Sequence, residues 1–196
     1  PVHFAKGRHT VDQIPLEQLM GSGLVIDVTQ QSAANRDYLV TISDIQDWER
    51  KYRRIPAGTI IFLRTGFGKF YPDRKRYLGT DERGADAVPK LHFPGLDPQA
   101  ARWLTQNRSI KAIGLDTPSI DYGQSTLFES HRILFDVIDR AVVVGPFEIR
   151  FDIVDQVGKR PAGRQVLDLH LVLAAADEVF GVQVNVPVMH RVVRAQ

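Results

Sequence analysis

The chain has 196 residues, 43% hydrophobic and 24% charged, a composition typical of one globular domain with a full core. It contains no cysteine, so disulfides, zinc–thiolate sites and a cysteine nucleophile are excluded. The formal net charge is only +2, and basic residues are scattered among acidic ones, which argues against a nucleic-acid partner. No apolar run reaches the roughly 18 residues of a membrane span. We therefore expect no membrane association and a cytoplasmic location.

The first sixty residues alternate helical patterns with buried strand patterns. Residues 14–20 are a predicted helix, and residues 24–28 form a β-branched apolar run typical of a buried strand. Ser43, with Gln46 three residues later, has the pattern of a capping box and predicts that a second helix begins there. Residues 59–63 are predicted as the next buried strand.

A long connection then precedes a second helix–strand unit. Residues 66–94 are rich in glycine, proline, tyrosine and charge, and this length favours a functional or interface loop. Asp97 followed by Pro98 predicts a helix with an N-cap and a proline at its first position. Residues 110–115 are the third predicted strand, and residues 128–135 are a predicted helix.

The predicted elements together narrow the fold class. Further strands are expected at residues 141–144, 166–173 and 182–193. The alternation of strands and helices predicts an α/β or α+β fold, most simply as a single domain over residues 1–196. Carboxylates such as Asp27 lie close to strand ends, where open α/β sheets place their sites.

The richest polar segment reads GLDTPSIDYGQSTLFESH and ends in His131. It follows the third predicted strand and contains Asp116, Ser119, Asp121 and Gln124. Polar side chains just beyond a buried strand indicate a site, although the same residue types also cap turns, and that alternative stays open. A Ser–His–Asp triad can be assembled from Ser119, His131 and Asp121, but the G-x-S-x-G motif that would support it is missing.

The histidines do not form a metal-binding motif by spacing alone. No H-E-x-x-H or comparable pair occurs, and a histidine taken singly is more often structural than a ligand. The six histidines are His3, His9, His92, His131, His170 and His190.

Several segments, in the same order, resemble the cyclase-type metal-dependent hydrolases, which include bacterial kynurenine formamidases and isatin hydrolases. The N-terminal PVHF is similar to the end of the family signature H-x-G-T-H-x-D-x-P-x-H. The resemblance covers roughly residues 1–135, whereas residues 136–196 are not recognisably similar. The other similar segments are VDQIPLE, VIDV, FLRTGF, HFPGL, GLDTPSID and SHR.

This resemblance implies an α/β fold, a compact β-rich domain with a mixed sheet flanked by helices. It also implies a chemistry and roles for particular residues. Members of the family bind one or two divalent ions, zinc or manganese, and use a metal-activated water to cleave an aryl formamide or a cyclic amide. By the resemblance, His3 is the proton-transfer residue and His131 is a metal ligand. Arg64 and Thr65 are expected to be structural. The residues expected to orient ligands, shape turns or contact substrate are Phe4, Asp116, Ser119, Asp121 and Gln124.

The resemblance also implies partners. The substrate would be a small amide such as N-formylkynurenine, an intermediate of tryptophan catabolism, or isatin, and the protein would be a homodimer. The segment 66–94 is the candidate for dimer contact or for closing over the site. Five aromatic residues are expected either to line an aryl pocket or to pack in the core or at the dimer contact: Phe4, Phe67, Phe70, Tyr71 and Phe93.

Two departures from the family bear on activity. The family's first two histidine ligands and its aspartate ligand come just before P-x-H, and thus ahead of Pro1 here, while its glutamate ligand falls near Val143. Metal affinity depends on several convergent ligands. We therefore expect the chain as given to bind metal poorly and to be a weak or inactive hydrolase. The alternative is a family member that acts as a binding or scaffold protein.

Overall fold

The computed structural model describes residues 13, 15, 17, 20–137 and 141–144, with side chains described as far as residue 135. Two 3-10 helices, Phe67–Phe70 and Ala85–Lys90, accompany the regular elements. In chain order these are β1 (Gly23–Asp27), α1 (Thr29–Ala34), β2 (Leu39–Val40), α2 (Ile42–Lys51), β3 (Ile60–Arg64), α3 (Arg74–Leu78), β4 (Gly95–Leu96), α4 (Pro98–Asn107), β5 (Ala112–Leu115), α5 (Glu129–Val137) and β6 (Ala141–Val144).

A four-stranded parallel sheet forms the centre of the fold, in the order β1-β3-β5-β6. Leu24 pairs with Ile61, which in turn pairs with Ile113, so buried apolar side chains align across the sheet. β2 and β4 form a second, two-stranded parallel sheet. The predicted α/β class, with a sheet flanked by helices, is confirmed. The sequence suggested a mixed sheet, and both sheets are parallel throughout the described residues, in keeping with their continuous apolar runs.

The main core lies between the central sheet and the helices. Ile45 of α2, Leu104 of α4 and Leu134 of α5 are fully buried against the apolar residues of the strands. α4 packs on α5 and on α2, and α2 also contacts β1. No helix in the described part of the chain combines the length and the apolarity needed to cross a membrane.

Helix α2 begins two residues earlier than the sequence pattern suggested. The cap is Thr41, whose Oγ1 accepts a hydrogen bond from the Asp44 backbone nitrogen (3.3 Å), while the Asp44 carboxylate accepts one from the Thr41 nitrogen (2.7 Å). The prediction of Ser43 as the N-cap is therefore wrong, since Ser43 lies inside the helix. A carboxylate at the third helical position is stabilised by the helix dipole, which favours Asp44 over the neutral Gln46.

The other predicted elements that fall within the described residues begin within two residues of the observed ones. The Asp97 cap with Pro98 at the first helical position is confirmed, because the Asp97 carboxylate accepts a hydrogen bond from the Gln99 nitrogen (2.6 Å). The predicted strand at 141–144 is also confirmed. The predicted helix at 14–20 falls mostly outside the described residues, and the predicted strands at 166–173 and 182–193 fall wholly outside them.

The segment 66–94 has a small core of its own rather than being an open loop. Phe67, Tyr77, Leu78 and Phe93 are buried together in a second apolar cluster. Arg36 anchors this segment to the rest of the domain: its guanidinium donates to the carbonyl oxygens of residues 76 and 92 (2.8 and 2.9 Å) and lies 4.9 Å from the centroid of the Phe67 ring.

A buried carboxylate ties the carboxyl ends of β3 and β5 together. Asp116 Oδ1 accepts hydrogen bonds from the Thr65 backbone nitrogen (2.7 Å) and from Thr65 Oγ1 (2.6 Å), and its Oδ2 accepts one from the Gly66 nitrogen (2.8 Å). Gly66 has a φ of +79°, so the tight turn that delivers this nitrogen favours glycine. Both Asp116 and Thr65 are buried. The edge of the sheet on which the candidate site is built is therefore held by ionic hydrogen bonds.

We expect Asp116→Asn to lower the free energy of unfolding by about 2–3 kcal/mol, because an amide group cannot accept all three hydrogen bonds and leaves a buried donor unpaired. Urea denaturation of the two proteins measures the difference. The matched control is Asp97→Asn, where asparagine caps a helix about as well as aspartate. Equal losses in the two variants would contradict the role assigned to Asp116.

A second ionic contact joins α2 to the end of α4. Glu49 accepts two hydrogen bonds from the Arg108 guanidinium (2.7 Å each) and one from the Ile55 nitrogen (2.7 Å), and both ionic side chains are only 12% exposed. Arg108 also lies over the Trp103 ring, 4.1 Å from its centroid. The Arg108 hydrogen bonds hold the pKa of the Glu49 carboxyl below its usual value.

This lowered pKa predicts an acid-dependent loss of stability. The contribution of Glu49 is fully present above its unfolded-state pKa of about 4.3 and is lost as the pH falls through the lower folded-state pKa. We expect Glu49→Gln to reduce stability at pH 7 and to flatten the dependence of unfolding free energy on pH below about 4.3. Urea titrations of both proteins across this range test it, and parallel pH curves would refute the assignment.

Candidate active site

The candidate site is built around Asp121 and His131. Asp121 lies in the turn that follows β5, and His131 lies in the first turn of α5. Asp121 Oδ1 accepts a hydrogen bond from the Ser130 backbone nitrogen (2.8 Å), and the His131 ring nitrogen Nδ1 is in short hydrogen-bond contact with Oδ2. The His131 backbone nitrogen lies 3.4 Å from Oδ2. The aspartate side chain is 4% exposed and the histidine side chain 12%.

Asp121 thereby serves two purposes. It satisfies backbone N–H groups in the first turn of α5, where the helix dipole also favours a negative charge. The same carboxylate fixes the orientation of the His131 ring by binding Nδ1, so Nε2 is the nitrogen through which this imidazole would bind a metal ion or exchange a proton. Helix capping and histidine orientation are consequently coupled in one side chain.

Close backbone packing holds the Asp121 turn in place. The Leu96 nitrogen donates to the Ile120 carbonyl oxygen (2.7 Å), and Ser130 Oγ donates to the Leu96 carbonyl oxygen (2.7 Å). A Cβ atom on Gly95 would lie 2.3 Å from the Tyr122 nitrogen. The glycine of the segment HFPGL is therefore required so that β4 and the turn can pass each other.

Other predicted site residues lie in different contacts. Asp116 binds the turn after β3, as described above, and is a turn-shaping residue. Ser119 accepts a hydrogen bond from Thr117 Oγ1 through its backbone carbonyl (2.8 Å). Among the described residues no hydrogen bond joins Ser119 to His131. The geometry therefore offers no support for a Ser–His–Asp triad.

Gln124 belongs to a second histidine–aspartate pair. Its Nε2 lies 3.1 Å from Nδ1 of His92, and that ring nitrogen lies 2.8 Å from Oδ2 of Asp37. The His92 side chain is 41% exposed and the Asp37 side chain 36%, far more than those of His131 and Asp121. The structure thus places Gln124 with His92 rather than with His131. His3 and Phe4 lie outside the described residues.

Aromatic residues flank His131 on both sides. Its ring centroid lies 6.2 Å from that of Phe128 and 5.9 Å from that of Phe135. Sequence reasoning missed both contacts: the spacing of Phe135, four residues after His131 on α5, could have indicated one of them, whereas Phe128 precedes the helix. Phe67 and Phe93, which were considered for an aryl pocket, are core residues of the second apolar cluster.

The described residues do not by themselves form a metal site. They contain no group of three or more histidine, aspartate or glutamate side chains that could hold an ion. The contact of Asp121 with His131 Nδ1 is nevertheless the kind that supports a metal-binding imidazole, because it fixes both the tautomer and the orientation of the ring. This pair therefore fits the role of one ligand with its supporting carboxylate.

A surface cleft lies elsewhere on the domain. A cleft of about 490 Å³ is lined by Gln46, Glu49, Arg50, Arg54 and Arg108, close to the residues that lead into β3 and β5. It contains the Glu49–Arg108 ion pair but no histidine. The acid–base chemistry of the described residues thus lies at the carboxyl end of the sheet, away from this cleft.

Comparison with known proteins identifies the chain's relatives. A curated relative, the isatin hydrolase of Roseibium aggregatum, is 29% identical over 142 residues, which cover 68% of this chain and 51% of that protein. The structure of isatin hydrolase A from Ralstonia solanacearum matches with a TM-score of 0.61 and 29% identity, over 69% of this chain and 50% of that one.

Isatin hydrolase A from Labrenzia aggregata, solved with bound benzyl benzoate, matches with a TM-score of 0.59 and 31% identity, over 67% of this chain and 50% of that one. The chain spans about half the length of these relatives. The model of the Cyclase family, described as "Putative cyclase", matches residues 1–122. This match covers more than half of the 196 residues, and the chain therefore belongs to the Cyclase family.

Proposed function

We propose that the protein is a metal-dependent amide hydrolase whose substrate is an aryl formamide or a cyclic amide, of the N-formylkynurenine or isatin type. The observation that carries this proposal is the buried Asp121–His131 pair at the carboxyl end of a parallel sheet. It occurs in a chain that is 29–31% identical to isatin hydrolases. Because the chain spans about half of those relatives, the proposal concerns the full-length protein.

The described residues have definite roles in this proposal. His131 would bind a zinc or manganese ion through Nε2, and Asp121 would hold the ring in the orientation that this contact requires. When bound, a divalent ion supplies an activated water and polarises the substrate carbonyl. Asp116 holds the turn after β3 against the end of β5 by hydrogen bonds and takes no part in the chemistry.

The remaining roles come from the family resemblance. His3 would transfer the proton to the leaving nitrogen, and Phe4 would contact the substrate. Both stay predictions, as do the homodimer and the cytoplasmic location. The two histidines must approach one ion or one substrate, within a protomer or across a dimer, if the proposal is right.

A second candidate function is a binding or scaffold protein that retains the fold without the chemistry. The observation that favours it is that the Asp121 carboxylate also accepts a hydrogen bond from the first turn of α5, a structural role that needs no metal ion. Turnover of N-formylkynurenine or isatin by the full-length protein with added zinc or manganese distinguishes the two, because a scaffold would not exceed the rate of buffer with metal.

His131→Asn provides the first test of the site. We expect it to reduce turnover by at least about 100-fold and to lower the metal content of the purified full-length protein, because a ligand nitrogen in the required position is lost. The matched control is His92→Asn in the exposed pair, which we expect to retain activity within about threefold of wild type. Equal losses in the two variants would assign both histidines to folding and refute the proposal.

Asp121→Asn provides the second test. The asparagine oxygen can still accept from Nδ1, but the negative charge is lost, so we expect metal affinity to fall by about 10–100-fold. The expected cost to folding is about 1 kcal/mol, from weaker interaction with the first turn of α5. Zinc titration gives the affinity, and urea denaturation gives the stability. Unchanged zinc affinity with reduced stability would make Asp121 a helix cap only.

A further inference from the structure

Phe128 has a backbone conformation that its side chain disfavours. Its φ is +50°, and the other described non-glycine residue with a positive φ is Ser109. In the left-handed region the Cβ atom crowds the backbone, so a bulky aromatic residue there is an outlier. A glycine or an asparagine would form the same turn with less strain.

The surrounding contacts hold Phe128 in this conformation. Its nitrogen donates to Ser125 Oγ (3.3 Å), and its carbonyl oxygen accepts from the Arg132 nitrogen (3.0 Å) in the first turn of α5. Two residues later, the Asp121 carboxylate accepts from the Ser130 nitrogen. The helix turn whose hydrogen bonds orient His131 therefore also holds Phe128 in its strained backbone conformation. Residues held in a strained backbone conformation cluster at active sites and ligand-binding sites. There the strain puts a side chain in a position that a relaxed backbone would not give it.

The conformation places an apolar rim beside His131. This rim consists of Leu127, which is 58% exposed, and Phe128, which is 38% exposed. The Phe128 ring meets the His131 ring in an edge-on arrangement, at an interplanar angle of 75°. A partly exposed phenyl ring in contact with the proposed metal-binding imidazole offers an aromatic stacking surface close to the place where an amide would react.

We propose that Phe128 determines substrate specificity by binding the aryl ring of the amide substrate. This inference rests on the proposed function. In an aryl formamide or a benzo-fused cyclic amide, the amide nitrogen is bonded directly to the ring. If the substrate ring stacks on Phe128, its amide group lies close to His131, because the Phe128 and His131 ring centroids are only 6.2 Å apart. Saturated rings of the same size fill the same space but lack this aromatic contact.

The test compares two ligands that differ only in aromaticity, N-formylaniline and N-formylcyclohexylamine. Their binding to the full-length protein with zinc is followed by NMR of the ¹³C-labelled histidine rings. We expect wild type to bind the aryl ligand about three- to tenfold more tightly than the saturated one. Phe128→Gly, which relieves the backbone strain and deletes the ring, is expected to abolish this preference without loss of stability.

Two further variants serve as controls. Phe128→Tyr keeps the ring and is expected to keep the preference. Tyr52→Ala removes an aromatic side chain of similar exposure at the end of α2 and is also expected to keep it. Retention of the preference in Phe128→Gly would overturn the inference, and so would a wild-type protein that binds neither ligand at its solubility limit.

Hydrolysis of the same ligands separates this inference from the proposed function. If the aryl preference in binding depends on Phe128 but the full-length protein with zinc or manganese hydrolyses no amide, the proposed function fails and the aryl site stands. If hydrolysis is robust and Phe128→Gly leaves the ratio of kcat/KM for the two ligands unchanged, the aryl site fails and the proposed function stands.

Discussion

The buried carboxylate of Asp116 is the constraint from which the candidate site is positioned. It binds two backbone nitrogens and one hydroxyl at the turn after β3, so the carboxyl ends of β3 and β5 are joined by charge-assisted hydrogen bonds. The turn that leads to Asp121 begins at the same residue. Asp121 then joins that turn to the first turn of α5. Two aspartates five residues apart thus connect the sheet edge to the helix that carries His131.

The two histidine–aspartate pairs have similar contacts but differ in burial, and burial decides how strongly each pair interacts. Asp121 and His131 are largely buried, so their interaction is weakly screened and fixes a ring orientation. Asp37 and His92 have similar contacts but are more than a third exposed, and solvent weakens such a pair. The same two residue types therefore suit positioning in one place and a surface contact in the other.

Membership of the Cyclase family and the site geometry constrain function to different degrees. The chain belongs to the Cyclase family and resembles isatin hydrolases, while the described residues contribute one imidazole held by a carboxylate and two aromatic neighbours. A catalytic centre needs further ligands that converge on the same point. The contribution of the Asp121–His131 pair to the proposed chemistry is orientation, because Asp121 fixes the His131 ring and so reduces the reorganisation that ligand binding would require.

The sequence by itself determined the features that depend on local pattern. Continuous apolar runs predicted the buried strands, Asp97-Pro98 predicted the start of α4, and ordered motifs predicted the family. Tertiary structure decided which polar residues meet: Gln124 lies with His92 and not His131, and Thr41 rather than Ser43 caps α2. It also brought Phe128 against His131 through a left-handed residue that no hydrophobic period reveals. Periodicity and capping act over a few neighbouring residues, whereas side-chain partnership depends on how distant segments pack, and that is settled only when the core forms.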